Sequence, residues 1–133
     1  MTFTLTPQGE ALVAEYHLAT LSTIAPSGLI HAVAVGFTWA DGLVRVITSD
    51  GSQKVRNLER GALATVAQVA GPQWLSFAGR ARINRDPDAV ARAVELYAAR
   101  YRQPRPNPQR VVIELVPERL LGSAGLVASN EQT

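Results

Sequence analysis

The only lysine of this chain, Lys54, follows Thr48-Ser49-Asp50-Gly51-Ser52-Gln53, and every other permanent positive side chain is arginine. Three hydroxyls (Thr48, Ser49, Ser52) and a mobile ammonium stand at the start of a short helix predicted from Ser52 to Arg60. First-turn N–H groups have no intrahelical acceptor and the helix dipole favours an anion, so this group has the ingredients of a phosphate site. The same residues also read as an ordinary N-cap followed by a solvated lysine, and spacing alone leaves both open. Arg56 and Arg60, four apart with Glu59 between them, either widen the positive surface or face water.

Other chemistries are poorly supplied. The chain has no cysteine, which excludes disulfides, thiolate nucleophiles, iron–sulfur clusters and cysteine-bound zinc. His17 and His31 are the only imidazoles and lack spaced carboxylates, so no metal site is expected. There is no GxGxxG after a strand, no Walker loop, no GxSxG elbow and no carboxylate pair suited to hydrolysis. If the protein is an enzyme, an organic cofactor brings the reactivity and the protein supplies position and electrostatics. No residue stands out as a general acid, so the catalytic residues are unassigned.

Positioning such a group falls to the strands. Leu29–Trp39 reads as one long strand with large residues on one face (Leu29, His31, Val33, Val35, Phe37, Trp39) and small ones on the other (Ala32, Ala34, Gly36, Thr38). Small side chains let a partner lie close to the backbone, whether a helix, a strand or a flat ring. Trp74–Arg80 alternates in the same manner, with Trp74 and Ser76 opposite Leu75 and Phe77. Arg102, Arg105 and Arg110 flank the segment Pro104-Arg105-Pro106-Asn107-Pro108, a stiff extended connector able to present guanidinium groups with little entropy lost.

The remaining elements follow from pattern. Thr6-Pro7 opens a helix over about 7–16; His17–Ile24, Leu43–Thr48, Ala62–Val69, Trp74–Asn84 and Val111–Val116 read as strands, the last extended by Glu118–Leu121. Asp41-Gly42 signals a tight hairpin. Asp86-Pro87 starts a helix to Tyr101 with Val90, Val94, Tyr97 and Tyr101 on one face. The expected fold is mainly β with inserted helices, a small antiparallel, Greek-key-like barrel in one domain over 1–133, with a disordered tail from about 127.

At 133 residues and 47% hydrophobic, the chain has one modest core, and a second copy would supply walls for a large ligand. A net charge of +2 suits an anionic small molecule better than a nucleic-acid backbone. MTFTLTPQGE has neither a basic start nor an apolar core region, and no membrane-length run occurs, so a cytoplasmic protein without membrane partners is expected.

The strings HAVAVGFTW, RVITSDGSQKVRN, QWLSFAGRA, RYRQPRPNPQRVVIE and ERLLGSAGL, in that order between Thr6 and Leu126, resemble the split β-barrel flavin/deazaflavin oxidoreductases related to pyridoxamine-phosphate oxidase. Within that group the chain is most similar to the actinobacterial F-420-dependent biliverdin reductases. The resemblance implies a dimeric FMN-binding-type split barrel with cofactor sites at the subunit interface. It implies coenzyme F-420, a 5-deazaflavin with a phosphate and a lactyl-oligoglutamate tail, and hydride transfer to a conjugated acceptor, biliverdin giving bilirubin. FMN is the alternative cofactor; an enone, a quinone or pyridoxine phosphate are alternative acceptors, and a non-catalytic F-420 or tetrapyrrole carrier is the alternative role. Carried over by position, His31, Ala32, Val33, Ala34 and Val35 border the cofactor, and Ile47 and Thr48 meet its ring or ribityl chain. Gln53 and Lys54 take the phosphate region, Glu59 lies nearby, and Leu75, Ser76, Phe77, Ala78 and Tyr97 complete the site, with the partner subunit a candidate source. Ala78 departs from the acidic residue expected before Gly79-Arg80.

Overall fold

The computed structural model describes residues 3–130. Its elements are β1 (Phe3–Leu5), α1 (Pro7–Ala14), β2 (Ala19–Ile24), β3 (Ile30–Val35), β4 (Thr38–Ala40), β5 (Leu43–Ser49), α2 (Gln53–Arg60), β6 (Leu63–Ala70), β7 (Gln73–Asn84), α3 (Pro87–Arg100), β8 (Arg110–Gly122) and β9 (Val127–Asn130). The protein is mainly β with three helices. Seven strands form an antiparallel sheet in the order β3-β2-β6-β7-β8-β5-β4, and β1 and β9 form a separate pair.

The barrel expected from sequence is not closed by hydrogen bonds. Its two edges, β3 and β4, are consecutive in the chain, yet among the described residues no ladder joins them. The single strand expected over Leu29–Trp39 is broken at Gly36-Phe37, where side chains take over the backbone groups. Tyr101 Oη accepts the Phe37 N–H at 3.1 Å, and Arg100 Nη1 donates to the Phe37 carbonyl at 2.6 Å. The chain thereby crosses from one sheet edge to the other and leaves a seam.

Arg100 is the latch of this region. It also donates to the Glu15 carbonyl at 2.8 Å and to Gln68 Oε1 at 2.6 Å, and its guanidinium lies over the Phe37 ring. The bond to Glu15 explains why α1 stops at Ala14 and not near Tyr16: Glu15 is extended and its carbonyl points at Arg100. Burial lowers the pKa of Arg100, whose partners are all neutral oxygens.

Concave-side residues fill the core. Leu21, Phe37, Val44, Val66, Leu75, Phe77, Ile113 and Leu115 are fully enclosed, each stabilising the fold by about 1.5–3 kcal/mol relative to exposure. Phe77 packs against Phe37 and Trp39 with ring centroids 5.5 and 5.1 Å apart. The hairpin at Asp41-Gly42 has both residues at positive φ, as its turn type requires. Strand β8 runs unbroken through Pro117, because the register shifts at Ala78/Gly79 and the ladder with β5 has already ended at Leu115. Residues 127–130, expected as part of a disordered tail, pair with β1 instead; residues 131–133 lie outside the described part.

The outward face of β3-β2-β6-β7 is different in character. Register places Thr20, Ser22, Ala32, Ala34, Thr65, Ala67, Ser76 and Ala78 on it. Ile24, Ile30, Leu63, Val69 and Trp74 share this face and are 40–70% exposed, so no element of the described chain covers them. No helix of the described residues is long and apolar enough to cross a membrane.

Candidate cofactor-binding cleft

The seam opens into a cleft of about 360 Å³. Strand β4 pairs only with Leu43–Arg45, which leaves Val46–Ser49 of β5 without a ladder partner on that side. Across the gap lies the free edge of β3. Ala34, Val35 and Gly36 line one wall, Ile47, Thr48 and Ser49 the other. Lys54 and Tyr97 enter from α2 and α3, and the proline-rich connector closes the outer side through Pro104, Asn107 and Arg110. Among the described residues no carboxylate lines it.

Helix α2 is docked so that Lys54 faces this space. Val55 and Leu58 are buried, and Asn57, itself buried, donates to Thr23 Oγ1 on β2 at 3.0 Å. Gln53 Nε2 donates to Asn57 Oδ1 at 2.7 Å, while Gln53 Oε1 accepts from Arg56 at 2.8 Å. The side chain of Gln53 is therefore committed within the helix. Ser52 holds the N-cap position without a side-chain capping bond; its Oγ lies 3.5 Å from Thr48 Oγ1. Lys54 is half-buried, has no carboxylate within salt-bridge distance among the described residues, and desolvation lowers its pKa.

Nearby acids are occupied elsewhere. Arg85 makes a two-pronged contact with Asp50, at 2.9 and 2.8 Å, and reaches Glu59 at 3.0 Å. The Arg85 bonds hold the Asp50 carboxyl below the usual range, and Arg85 ties the turn before α2 and the last turn of α2 to the loop before α3. Glu59 lies outside the cleft lining.

Of the residues singled out from sequence, Ala34, Val35, Ile47, Thr48, Lys54 and Tyr97 come together in this cleft. His31, Ala32 and Val33 lie further along β3; His31 is half-buried with Nδ1 unpartnered, and Val33 packs against the core. Leu75 and Phe77 are core residues, so only their main chain can meet a ligand. Ser76 and Ala78 lie on the uncovered face, where Ala78 borders a mainly apolar groove of about 620 Å³ with Ile24, Ile30 and Leu63.

Ser49 of the hydroxyl group, Gly36 of the small face and Arg110 beside the proline segment, each a candidate from sequence, also line the cleft, together with Pro104 and Asn107, which sequence does not single out as ligand contacts. Gly36 had been read as part of the small face. Its smallness serves packing: a Cβ there would meet the Tyr97 and Tyr101 rings at 3.0 Å. The rings stack on each other at 4.8 Å between centroids, so a neighbouring helix occupies that position, while Ala32 and Ala34 remain exposed. The connector residues arrive through β5–β8 pairing, which sets Arg110 opposite Ser49. Asn107 Nδ2 then donates to Ser49 Oγ at 2.8 Å, and Asp50 N–H to the Gln109 carbonyl at 2.8 Å. Arg102 and Arg105 stay exposed outside the lining.

Comparison with known proteins agrees with this architecture. The sequence pattern of the family described as pyridoxamine 5'-phosphate oxidase matches residues 5–123. An F-420H(2)-dependent biliverdin reductase of Mycobacterium tuberculosis is 53% identical over 119 residues, covering 88% of this chain and 87% of that protein. Among solved structures, the conserved hypothetical protein Rv2991 of M. tuberculosis superposes with a TM-score of 0.78 at 25% identity, covering 90% of this chain and 85% of its own. A protein described as an F-420 reductase superposes at 0.71 with 24% identity, covering 84% and 94%, a likeness of fold. The chain belongs to the pyridoxamine 5'-phosphate oxidase family.

Proposed function

We infer that the protein is an F-420-dependent oxidoreductase that reduces biliverdin to bilirubin, acting as a homodimer. The observation that carries this reading is the likeness to the mycobacterial F-420H(2)-dependent biliverdin reductase along nearly the whole chain. A cleft lined by Lys54, Arg110, Thr48 and Ser49, and by no carboxylate among the described residues, fits an anionic coenzyme of this type. When bound, reduced F-420 supplies a hydride from carbon 5 to the central methine carbon of biliverdin, and a proton from solvent or a nearby donor completes bilirubin.

The roles of the residues follow from their places. Lys54 holds the phosphate as a mobile point charge, and Thr48 and the first-turn amides of α2 offer further donors. Gln53 contributes its main chain, since its side chain is engaged in α2. Ala34 and Val35 give a low wall against which a planar ring can lie, and Ile47 and Tyr97 bound the ring and ribityl region. Unpaired backbone groups on the β3 and β5 edges are available to its polar rim. Glu59 lies outside the cleft lining and shares Arg85 with Asp50, which keeps its carboxylate turned to that guanidinium. Ala32, Ser76 and Ala78 contribute their side chains where a second copy meets the uncovered sheet face, and His31, Val33, Leu75 and Phe77, which the register turns to the core side, contribute main chain; the exposed apolar residues of that face are the support for a dimer.

Titration of the wild-type protein and Ala67→Glu with F-420 and with FMN tests the reading. Ala67 is central on the uncovered face, between Thr20 and Ser76. The wild type is expected to sediment as a dimer and to bind F-420 more tightly than FMN, and Ala67→Glu to be a folded monomer with weakened F-420 binding. Preference for FMN would overturn the cofactor assignment; a wild-type monomer that binds F-420 would overturn the dimer.

A further inference from the structure

Lys54 is not the only cation in the cleft. Arg110 lines it too, half-buried at the start of β8, with no carboxylate within 4.0 Å among the described residues. The acid that follows it on the same face of β8, Glu114, is committed to Arg82 at 2.8 Å and to Asn84 at 3.2 Å. Two uncompensated positive charges in one recess repel each other unless a ligand brings negative charge on more than one group.

The Arg110 side chain is also held in place. One Nη2 hydrogen is donated to the Arg105 carbonyl at 2.6 Å, while the Arg110 N–H bonds the Asn107 carbonyl at 3.1 Å, closing the turn of the connector. Asn107 in turn is anchored to Ser49. Nε and Nη1 have no partner among the described residues, and the second Nη2 hydrogen completes a two-pronged edge with one of them, which leaves one edge of the planar fork for a ligand. Such a fork matches the two oxygens of a carboxylate, whereas an ammonium acts as a point charge suited to phosphate.

We propose that Arg110 forms a second anion subsite of the cleft, binding a carboxylate of the ligand's acidic tail while Lys54 holds its phosphate. The assignment rests on the F-420 reading above, since FMN carries a phosphate and no carboxylate. Pre-organisation by Arg105 and Asn107 reduces the entropy lost on binding.

The test measures the affinity of wild type, Arg110→Gln and Arg110→Lys for F-420 and for FMN, with thermal melting to confirm folding. Gln keeps a donor for the Arg105 carbonyl; Lys keeps the charge and loses the fork. The expected result is a roughly 10- to 100-fold loss of F-420 affinity in Arg110→Gln, an intermediate loss in Arg110→Lys, and unchanged FMN affinity in both. F-420 affinity unchanged in either folded variant would overturn the subsite alone. Equal losses for F-420 and FMN would place Arg110 on the phosphate and overturn the carboxylate assignment. A wild type that does not bind F-420 would overturn the cofactor reading and this inference with it.

Discussion

Replacing Arg100 with Met tests the latch that shapes the seam. The guanidinium makes charge-assisted bonds to the Glu15 and Phe37 carbonyls and to Gln68 Oε1, at 2.8, 2.6 and 2.6 Å. Such bonds contribute about 1.5–3 kcal/mol each when the acceptor is left dry. Three features reduce the sum. The Phe37 carbonyl keeps a share of the Tyr101 hydroxyl at 3.3 Å, whose shorter bond goes to the His17 carbonyl at 2.7 Å, and Glu15 is at the surface, where water can replace the arginine. Removing the guanidinium also relieves its desolvation, which already lowers its pKa. Gln68 Oε1, on a fully buried residue, is the acceptor left without compensation. The expected net loss is about 2–4 kcal/mol, read as a lower urea midpoint at constant slope. Arg100→Lys should recover only part of it, because one ammonium cannot reproduce a fork spanning three acceptors. A loss below about 1 kcal/mol for Arg100→Met, the ordinary size of a surface substitution, would refute the reasoning.

Lys54 gives a pH signature. Its pKa is lowered in the free protein by desolvation, and a bound phosphate raises it again, so binding takes up a proton. Affinity for F-420 should be constant at low pH, fall as pH rises through the lowered lysine value, and stay flat over that range in Lys54→Arg; an identical fall in the arginine variant would exclude Lys54 as its source. The unliganded protein shows the opposite sign: the native state binds the Lys54 proton less tightly than the unfolded chain, so this group's contribution to stability rises with pH up to the ordinary lysine value. Gly36→Ala brings a Cβ to 3.0 Å from both tyrosine rings, and overpacking of this kind costs about 1–3 kcal/mol. Displacement of Tyr97 should weaken cofactor binding as well, and a variant with wild-type melting and affinity would show that the rings yield freely.

Local chemistry was legible where the chain decides alone. Thr6 caps α1 by accepting the Gly9 N–H at 3.1 Å, and Asp41-Gly42 makes its hairpin, because each depends on a few adjacent residues. Lys54 was visible as a lone ammonium at a helix start. The break at Gly36-Phe37 was not, since the groups that cause it, Arg100 and Tyr101, lie more than sixty residues away. Asp86 and Ser52 hold N-cap positions without side-chain capping bonds, so composition located these helix starts without revealing their hydrogen bonding. Arg110 enters the cleft only because β8 pairs with β5, a long-range fact that the arginine–proline composition leaves open. The β1–β9 pair is equally non-local: Thr6 N–H bonds the Leu126 carbonyl at 2.9 Å, across nearly the full chain.

The most direct measurement mixes the protein with reduced F-420 and biliverdin under anaerobic conditions and follows both chromophores. The account predicts loss of the biliverdin band, appearance of bilirubin and stoichiometric return of oxidised deazaflavin absorbance, all dependent on protein. Tight binding of both compounds with no change in either spectrum would contradict it.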